Sequence, residues 1–331
     1  MDSENKIDET AASRPVFFHS SGRRSWRRTG VRFGSMLVVA IVSAGAIFAS
    51  APRVRAQDLS AASKKVKKCG TTIASCGCTI TKSGFYKVTA DLLSSQGLTK
   101  MNGCIDIKAS NVVLTAGKPV VSFNFSHFNI TGPGGGTPTG IGIHILKHSN
   151  GDFIELAGSF IQGWDVGLLV EGNNNIVEDF QAARFSTAVP NGTAGVEING
   201  ASNNNINDFS VDSNNNYGVW LRAASNNQIN CSNTEKNGNI GVYVGCSVDG
   251  PINGACSPAV PPSNNNQIFD HSSSDNTKRG VVIDLGNTGN IVSDTFASGN
   301  TSIDMLDENP SCDNNEWFFD GFGTAMPGCI E

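Results

Sequence analysis

A short phrase returns turn after turn between residues 140 and 300, and it constrains the fold more than any other feature of the chain: Gly, apolar, variable, apolar, then an Asn-rich corner and Ile. It reads Gly142-Ile143-His144-Ile145, Gly167-Leu168-Leu169-Val170, Gly195-Val196-Glu197-Ile198, Gly218-Val219-Trp220-Leu221, Gly241-Val242-Tyr243-Val244 and Gly280-Val281-Val282-Ile283. The second half follows as Asn175-Ile176, Asn205-Ile206, Gln228-Ile229, Gln267-Ile268 and Asn290-Ile291. The glycines come at intervals of 25, 28, 23, 23 and 39 residues, and a period in the twenties marks a solenoid. Each apolar-variable-apolar triplet has period 2, so it is a strand with two side chains inward and one outward. Strands this short cannot close a core within one repeat, so successive repeats stack over a shared column of Val, Ile and Leu, which is a parallel β-helix. Leucine-rich repeats, the rival at this period, need Leu at more positions and a helical return; here the return is Asn-rich and extended. Asn tolerates the left-handed corner, and its amide can bond to the coils above and below at a spacing of ~4.8 Å.

The flanks read differently. In residues 1–56, Arg23, Arg24, Arg27, Arg28 and Arg32 precede an apolar run from Met36 to Ala49, and Val54-Arg55-Ala56 offers small residues for cleavage before Gln57. That is an export signal, with an uncleaved membrane anchor as the alternative. The chain is thereby expected to be periplasmic, cell-surface or secreted, with no membrane insertion after cleavage. Residues 57–68 form a flexible basic leader, 69–139 an N-terminal cap and first coils, 140–306 the repeats with an insertion at 246–263, and 307–331 a C-terminal cap closed by Trp317 in the Ile position. The chain holds 24 Lys plus Arg and 29 Asp plus Glu, of which residues 1–56 carry nine and four, leaving 15 against 25 and a net charge near −10. Such a balance argues against nucleic acid and anionic lipid as partners.

Cys69, Cys76, Cys78 and Cys104 cluster in the entry cap, Cys246 and Cys256 bracket the insertion, and Cys312 and Cys329 bracket the tail. In an exported chain these are disulfides stapling the non-repetitive parts, with zinc as the alternative for the first four. Cys231, two residues after Ile229, is expected to be a buried free thiol.

The Asn-Asn-x-Ile and Gly-Val-x-Leu units, the turn Gly132-Pro133-Gly134-Gly135-Gly136 and the Cys-rich opening at Cys69 resemble right-handed parallel β-helix repeat proteins over residues 69–320. The resemblance is to the pectin-lyase-like superfamily, and more narrowly to its NosD-like branch with carbohydrate-binding and sugar-hydrolase repeats. It implies a right-handed helix and a polysaccharide partner. It leaves the activity open, because such proteins include lyases, hydrolases, epimerases, a copper-site maturation factor and non-catalytic envelope proteins.

Three constellations are candidates for function. The outward residues His144, Leu169, Glu197, Trp220, Tyr243 and Val282 form a column on a solvent-facing sheet, with Arg222 beside it; Trp220, Tyr243, Glu197 and Arg222 are the expected polysaccharide contacts. Aromatic pairing that merely stabilises the sheet explains the same residues. Asp270, His271 and Arg279, with Asp275 and Lys278, are the candidate catalytic set for a lyase, hydrolase or epimerase. Glu178, Asp208 and Asp270 align as an acidic column that could take Ca²⁺, or could replace Asn at a corner. No cofactor is required by any of these readings. Soft copper ligands are sparse, and no phosphate loop, nucleophile elbow or His-Glu-x-x-His helix is present.

Overall fold

A computed structural model describes residues 67–330 except 95–101, 117–127, 134–137, 183–188 and 247–259. The export signal, nearly all of the leader and most of the insertion lie outside the described residues. The remainder is a right-handed parallel β-helix. Every pairing between described strands is parallel, and each coil adds one strand to a sheet of ten and one or two to a sheet of fourteen. The ten are Cys78–Ile80, Gly103–Ile107, Ile141–Ile145, Val166–Val170, Ala194–Asn199, Tyr217–Arg222, Ile240–Val244, Arg279–Ile283, Ile303–Asp307 and Ala325–Met326. The parallel register therefore runs from the cysteine-rich opening to the tail. Among the described residues the sole helical element is the single 3-10 turn Pro310–Cys312.

The triplets behave as their period requires. Leu168 and Val170, Val196 and Ile198, Val219 and Leu221, and Val242 and Val244 are fully buried in the core between the sheets. The larger sheet faces them with Val177, Ile206, Ile229, Ile268, Val292 and Trp317, each stacked on the next. Trp317 does occupy the aliphatic position and closes that column. Ile176 does not: it is exposed, and Val177 takes the inward place.

The repeated glycine is dictated by close approach. A Cβ on Gly218 would lie 2.5 Å from the carbonyl oxygen of Gly241 in the next coil, and one on Gly142 would lie 2.4 Å from that of Gly167. Any side chain there would force the coils apart.

Two buried amide ladders run along the helix axis. In the first, Asn175, Asn204, Asn227, Asn266, Asn290 and Asn315 each donate from Nδ2 to the Oδ1 of the next at 3.0–3.2 Å, up to Asn315. The preceding corner residues Asn174, Asn203, Asn226 and Asn265 are left-handed, as an Asn corner predicts. The second ladder, which the sequence reading missed, is Asn191, Asn214, Asn237, Asn276 and Asn300 at 2.9–3.0 Å. Both end on buried carboxylates, at Asp307 and Asp304.

The ends are stapled. Cys69 pairs with Cys78, Cys76 with Cys104, and Cys312 with Cys329. Cys246 is also disulfide-bonded, and its expected partner Cys256 lies outside the described residues. Cys231 is free but exposed, contrary to expectation. It sits at a left-handed corner with φ 44°, and inward-outward parity cannot be counted through a residue that bends the strand.

Candidate functional site

One row of side chains crosses the outer face of the ten-stranded sheet from end to end. Register places Thr79, Asp106, His144, Leu169 and Glu197 in line, followed by Trp220, Tyr243, Val282, Leu306 and Met326. A second outward row consists of the residue directly after the last inward residue of each strand, among them Lys108, Glu171, Arg222, Asp284 and, after the buried Asp307, Glu308, whose backbone N–H groups or carbonyls bond to the coil before or after.

The middle of this face is not open to solvent. Trp220 is 1 % exposed and Tyr243 0 % exposed. With Ala194, Tyr217, Ile240 and Val282 they form a second apolar cluster outside the coil interior. Tyr217 stacks 5.3 Å from Tyr243 and 5.1 Å from Trp220. The Trp220 indole N–H donates to the Gly245 carbonyl at 2.9 Å, and the Tyr243 hydroxyl donates to Asp284 at 2.7 Å. Pointing away from the core is therefore not the same as facing water. Of the four expected contacts, Trp220 and Tyr243 present no ring face for stacking. Arg222, whose guanidinium lies 5.3 Å over the Trp220 ring, stays half-buried, and Glu197 is buried.

The polar end of the row holds the chemistry. His144 Nε2 is 2.8 Å from Glu171 Oε2, and its Nδ1 is 3.5 Å from Asp106 Oδ1. Burial works to lower the imidazole pKa, but the contacts to Asp106 and Glu171 outweigh it and raise it to about 9. His144 is thus an imidazolium at neutral pH, and its hydrogen bond holds the Glu171 carboxyl below its usual range. Two coils further on, roughly 10 Å along the axis, Glu197 has no hydrogen-bond partner among the described residues. Burial pushes its carboxyl up to about 7, with Arg222 pulling down and Asp165 and Glu171 pushing up. Half-exposed Leu169 lies between His144 and Glu197. Past Asp106 the face opens into a pocket of about 290 Å³ lined by Lys68, Thr79, Thr81, Asn102, Lys108 and Leu146.

The other two constellations come apart. His271 points into the core, where it contacts Ser232 Oγ at 2.8 Å and Thr234 Oγ1 at 3.1 Å; full burial lowers its pKa to about 3, so it is neutral and sealed from solvent. Its neighbour Asp270 sits outside at a left-handed corner. Arg279 belongs to the other sheet, 3.7 Å from Glu308. These three do not converge, because the corner at Asp270 turns consecutive side chains to opposite sides of the wall.

The acidic column exists with a different membership. Glu178 pairs with Asn207, not with Asp208. The left-handed corner column is Asp179, Asp208, Cys231, Asp270 and Asp294, with φ from 44° to 55°. The shift follows from Val177, rather than Ile176, being the inward residue. Cys231 separates Asp208 from Asp270, with its Sγ 3.5 Å from Asp270 Oδ2. Among the described residues no group of three or more His, Cys, Asp or Glu could hold a metal ion, and Glu178, Asp208 and Asp270 do not come together as a calcium site.

Asp106 and Glu171 were missed in the sequence. Ile105-Asp106-Ile107 is an apolar-variable-apolar triplet like Ile143-His144-Ile145, but it lies in the stretch read as cap and first coils. Glu171 stands one place beyond its triplet, where Arg222 also stands.

No family model and no curated protein matches the chain. Among solved structures it is similar to the Dettilon tailspike protein gp208, with TM-score 0.44 and 11 % identity over 77 % of this chain and 53 % of that one. It is also similar to a double mutant of the periplasmic alginate epimerase AlgG, with TM-score 0.39 and 14 % identity over 74 % and 46 %. A further AlgG structure gives TM-score 0.31 and 12 % identity over 73 % and 76 %. The chain spans about half the length of the first two. Likeness at this level is no evidence of a shared activity.

Proposed function

We propose that the protein is exported and binds polysaccharide on the outer face of the ten-stranded sheet, at the polar end between Asp106 and Arg222. The observation that carries this reading is Glu197, a buried carboxyl without a hydrogen-bond partner among the described residues, set in a row with the His144–Glu171 ion pair. The Glu197 oxygens are not among the sealed, unpartnered polar atoms and so keep a path to solvent, and perturbed carboxyls gather at functional sites. Sugar hydroxyls both donate and accept, so they can satisfy Glu197 and Arg222 while an apolar ring face rests on Leu169. Trp220 contributes from beneath, with the guanidinium of Arg222 over its ring, and Tyr243 stacks against Trp220. Export is supported by the stapled ends, since disulfides persist in oxidising compartments.

A second reading has one observation in its favour. A carboxyl titrating near neutrality suits a general acid for glycoside hydrolysis. Both readings are tested by passing the purified protein over gels of plant and bacterial polysaccharides while assaying reducing ends and unsaturated products. Retention that weakens at least tenfold in Glu197→Gln and Arg222→Ala supports binding. Product that disappears in Glu197→Gln promotes the enzyme. Absence of both across the panel leaves a structural scaffold and removes the proposal.

A further inference from the structure

The outer face opens again at its C-terminal end. A groove of about 680 Å³, within the ~300–1,000 Å³ of small-ligand clefts, has Ile303 and Leu306 for its floor and Arg279, Glu308, Pro310 and Met326 among its walls. Arg279 and Glu308 approach to 3.7 Å, too far for a hydrogen bond, and remain 25 % and 11 % exposed. Arg279 Nη1 and Glu308 Oε2 are buried without a hydrogen-bond partner. Burial, a side-chain hydrogen bond shared with the Asp284 carboxyl and the charges of Asp284 and Asp307 push Glu308 up to about 7, against the pull of Arg279; Oε2 is the oxygen left without a partner. Asp307 also lines the groove, but the Trp317 indole and the Asn315 amide already bond to it. Met326, at the end of the outward row, is 59 % exposed. An Arg and a Glu held side by side but underbonded, over an aliphatic floor, form neither a closed ion pair nor a packed core.

We propose that this groove is a separate subsite for a neutral pyranose unit of the glycan, whose apolar ring face lies on Ile303 and Leu306 while Arg279 donates to one hydroxyl and Glu308 bonds to another. The groove sets one cation, Arg279, against the carboxyl groups of Glu308, Asp307 and the adjoining Asp284, so a neutral sugar is favoured over a uronate or sulfated one, which those groups would repel. The inference rests on the carbohydrate reading of this face. The row places Leu306 four coil spacings from Glu197, roughly 19 Å, so a disaccharide can occupy one end without reaching the other.

That separation allows the test. The full-length protein, labelled at its methionine methyl groups, is titrated with neutral disaccharides of glucose, mannose and galactose and with a galacturonate dimer, and the Met326 methyl resonance is followed by NMR. Met326→Leu assigns the resonance. The expected result is that at least one neutral disaccharide shifts Met326 saturably, equally in wild type and Glu197→Gln, and at least tenfold more weakly in Glu308→Gln and Arg279→Gln, with unchanged near-ultraviolet circular dichroism. No shift of Met326, an equal shift in both groove variants, or tighter binding of the galacturonate dimer overturns the subsite. If polysaccharide binding remains sensitive to Glu197 while Met326 is silent, the subsite fails alone. If neither end responds, the carbohydrate reading fails with it.

Discussion

Glu197 and His144 make the stability of the fold fall with pH in adjoining windows. Glu197 titrates near 4.5 when unfolded and near 7 when folded. The folded state therefore holds an extra proton between those values, and stability declines across that interval. The cost above pH 7 is on the order of 3 kcal/mol. His144 is raised from 6.5 to about 9; its contribution is fully present below 6.5 and is lost as pH rises through 9. Glu197→Gln should flatten the loss between pH 4.5 and 7 and leave the loss between 6.5 and 9, as read from urea midpoints across pH. An unchanged slope below pH 7 would mean that Glu197 is hydrated. A simpler expectation concerns Cys231: with the other described cysteines disulfide-bonded, a maleimide should label this one exposed thiol in the native protein. Labelling only after unfolding would place it in the interior. The row containing Glu197 was legible in the sequence because the middle of a period-2 triplet must point outward. The burial of Trp220 was not, because it depends on Tyr217 and Ile240 packing beside it on the outside of the sheet.

Between residue and whole molecule, the ladder is the unit that makes one coil depend on the next. Asn237 accepts from the backbone and side chain of Asn214 and donates to Asn276 and to the Val211 carbonyl. Asn237→Ala strands these groups in a dry interior and should cost roughly 2–4 kcal/mol, since each orphaned buried partner costs about 1–3 kcal/mol. Substituting the half-buried Asn233 nearby, which accepts from Ser210 outside the ladder, gives the control, and equal losses at both sites would refute the ladder's role. Gly218→Ala is expected to cost about 3 kcal/mol from overpacking, because its Cβ meets backbone that cannot rotate away. The first ladder was readable from its Asn runs. The second also had a signal, an Asn four places before four of the six repeat glycines, in Asn191/Gly195, Asn214/Gly218, Asn237/Gly241 and Asn276/Gly280. That signal is less visible because, apart from Asn214–Asn216, these residues stand alone and form no Asn run.

At the scale of the molecule, stability is a chain of nearest-neighbour couplings, and such a chain is weakest at its ends. Both ladders run with their amide donors toward the C-terminus and finish there on Asp304 and Asp307. Each amide N–H therefore has an acceptor, and the last donors of each stack meet a carboxylate, as a helix terminus meets its cap. The Cys312–Cys329 disulfide, closing 17 residues, holds this terminus over the last coil. A loop of that length restrains the unfolded chain by about 3 kcal/mol, but in a solenoid that stabilisation is felt locally. Replacing both cysteines by Ser should accelerate amide hydrogen exchange at least tenfold in the strands Ile303–Asp307 and Ala325–Met326, and leave Val166–Val170 unaltered. If exchange rises equally in all strands, the helix unfolds as one cooperative body, and its coupling extends well beyond adjacent coils. In that event the carboxylate caps would act on the entire ladder, and Asp307→Asn should lower protection at Asn175 as much as at Asn315.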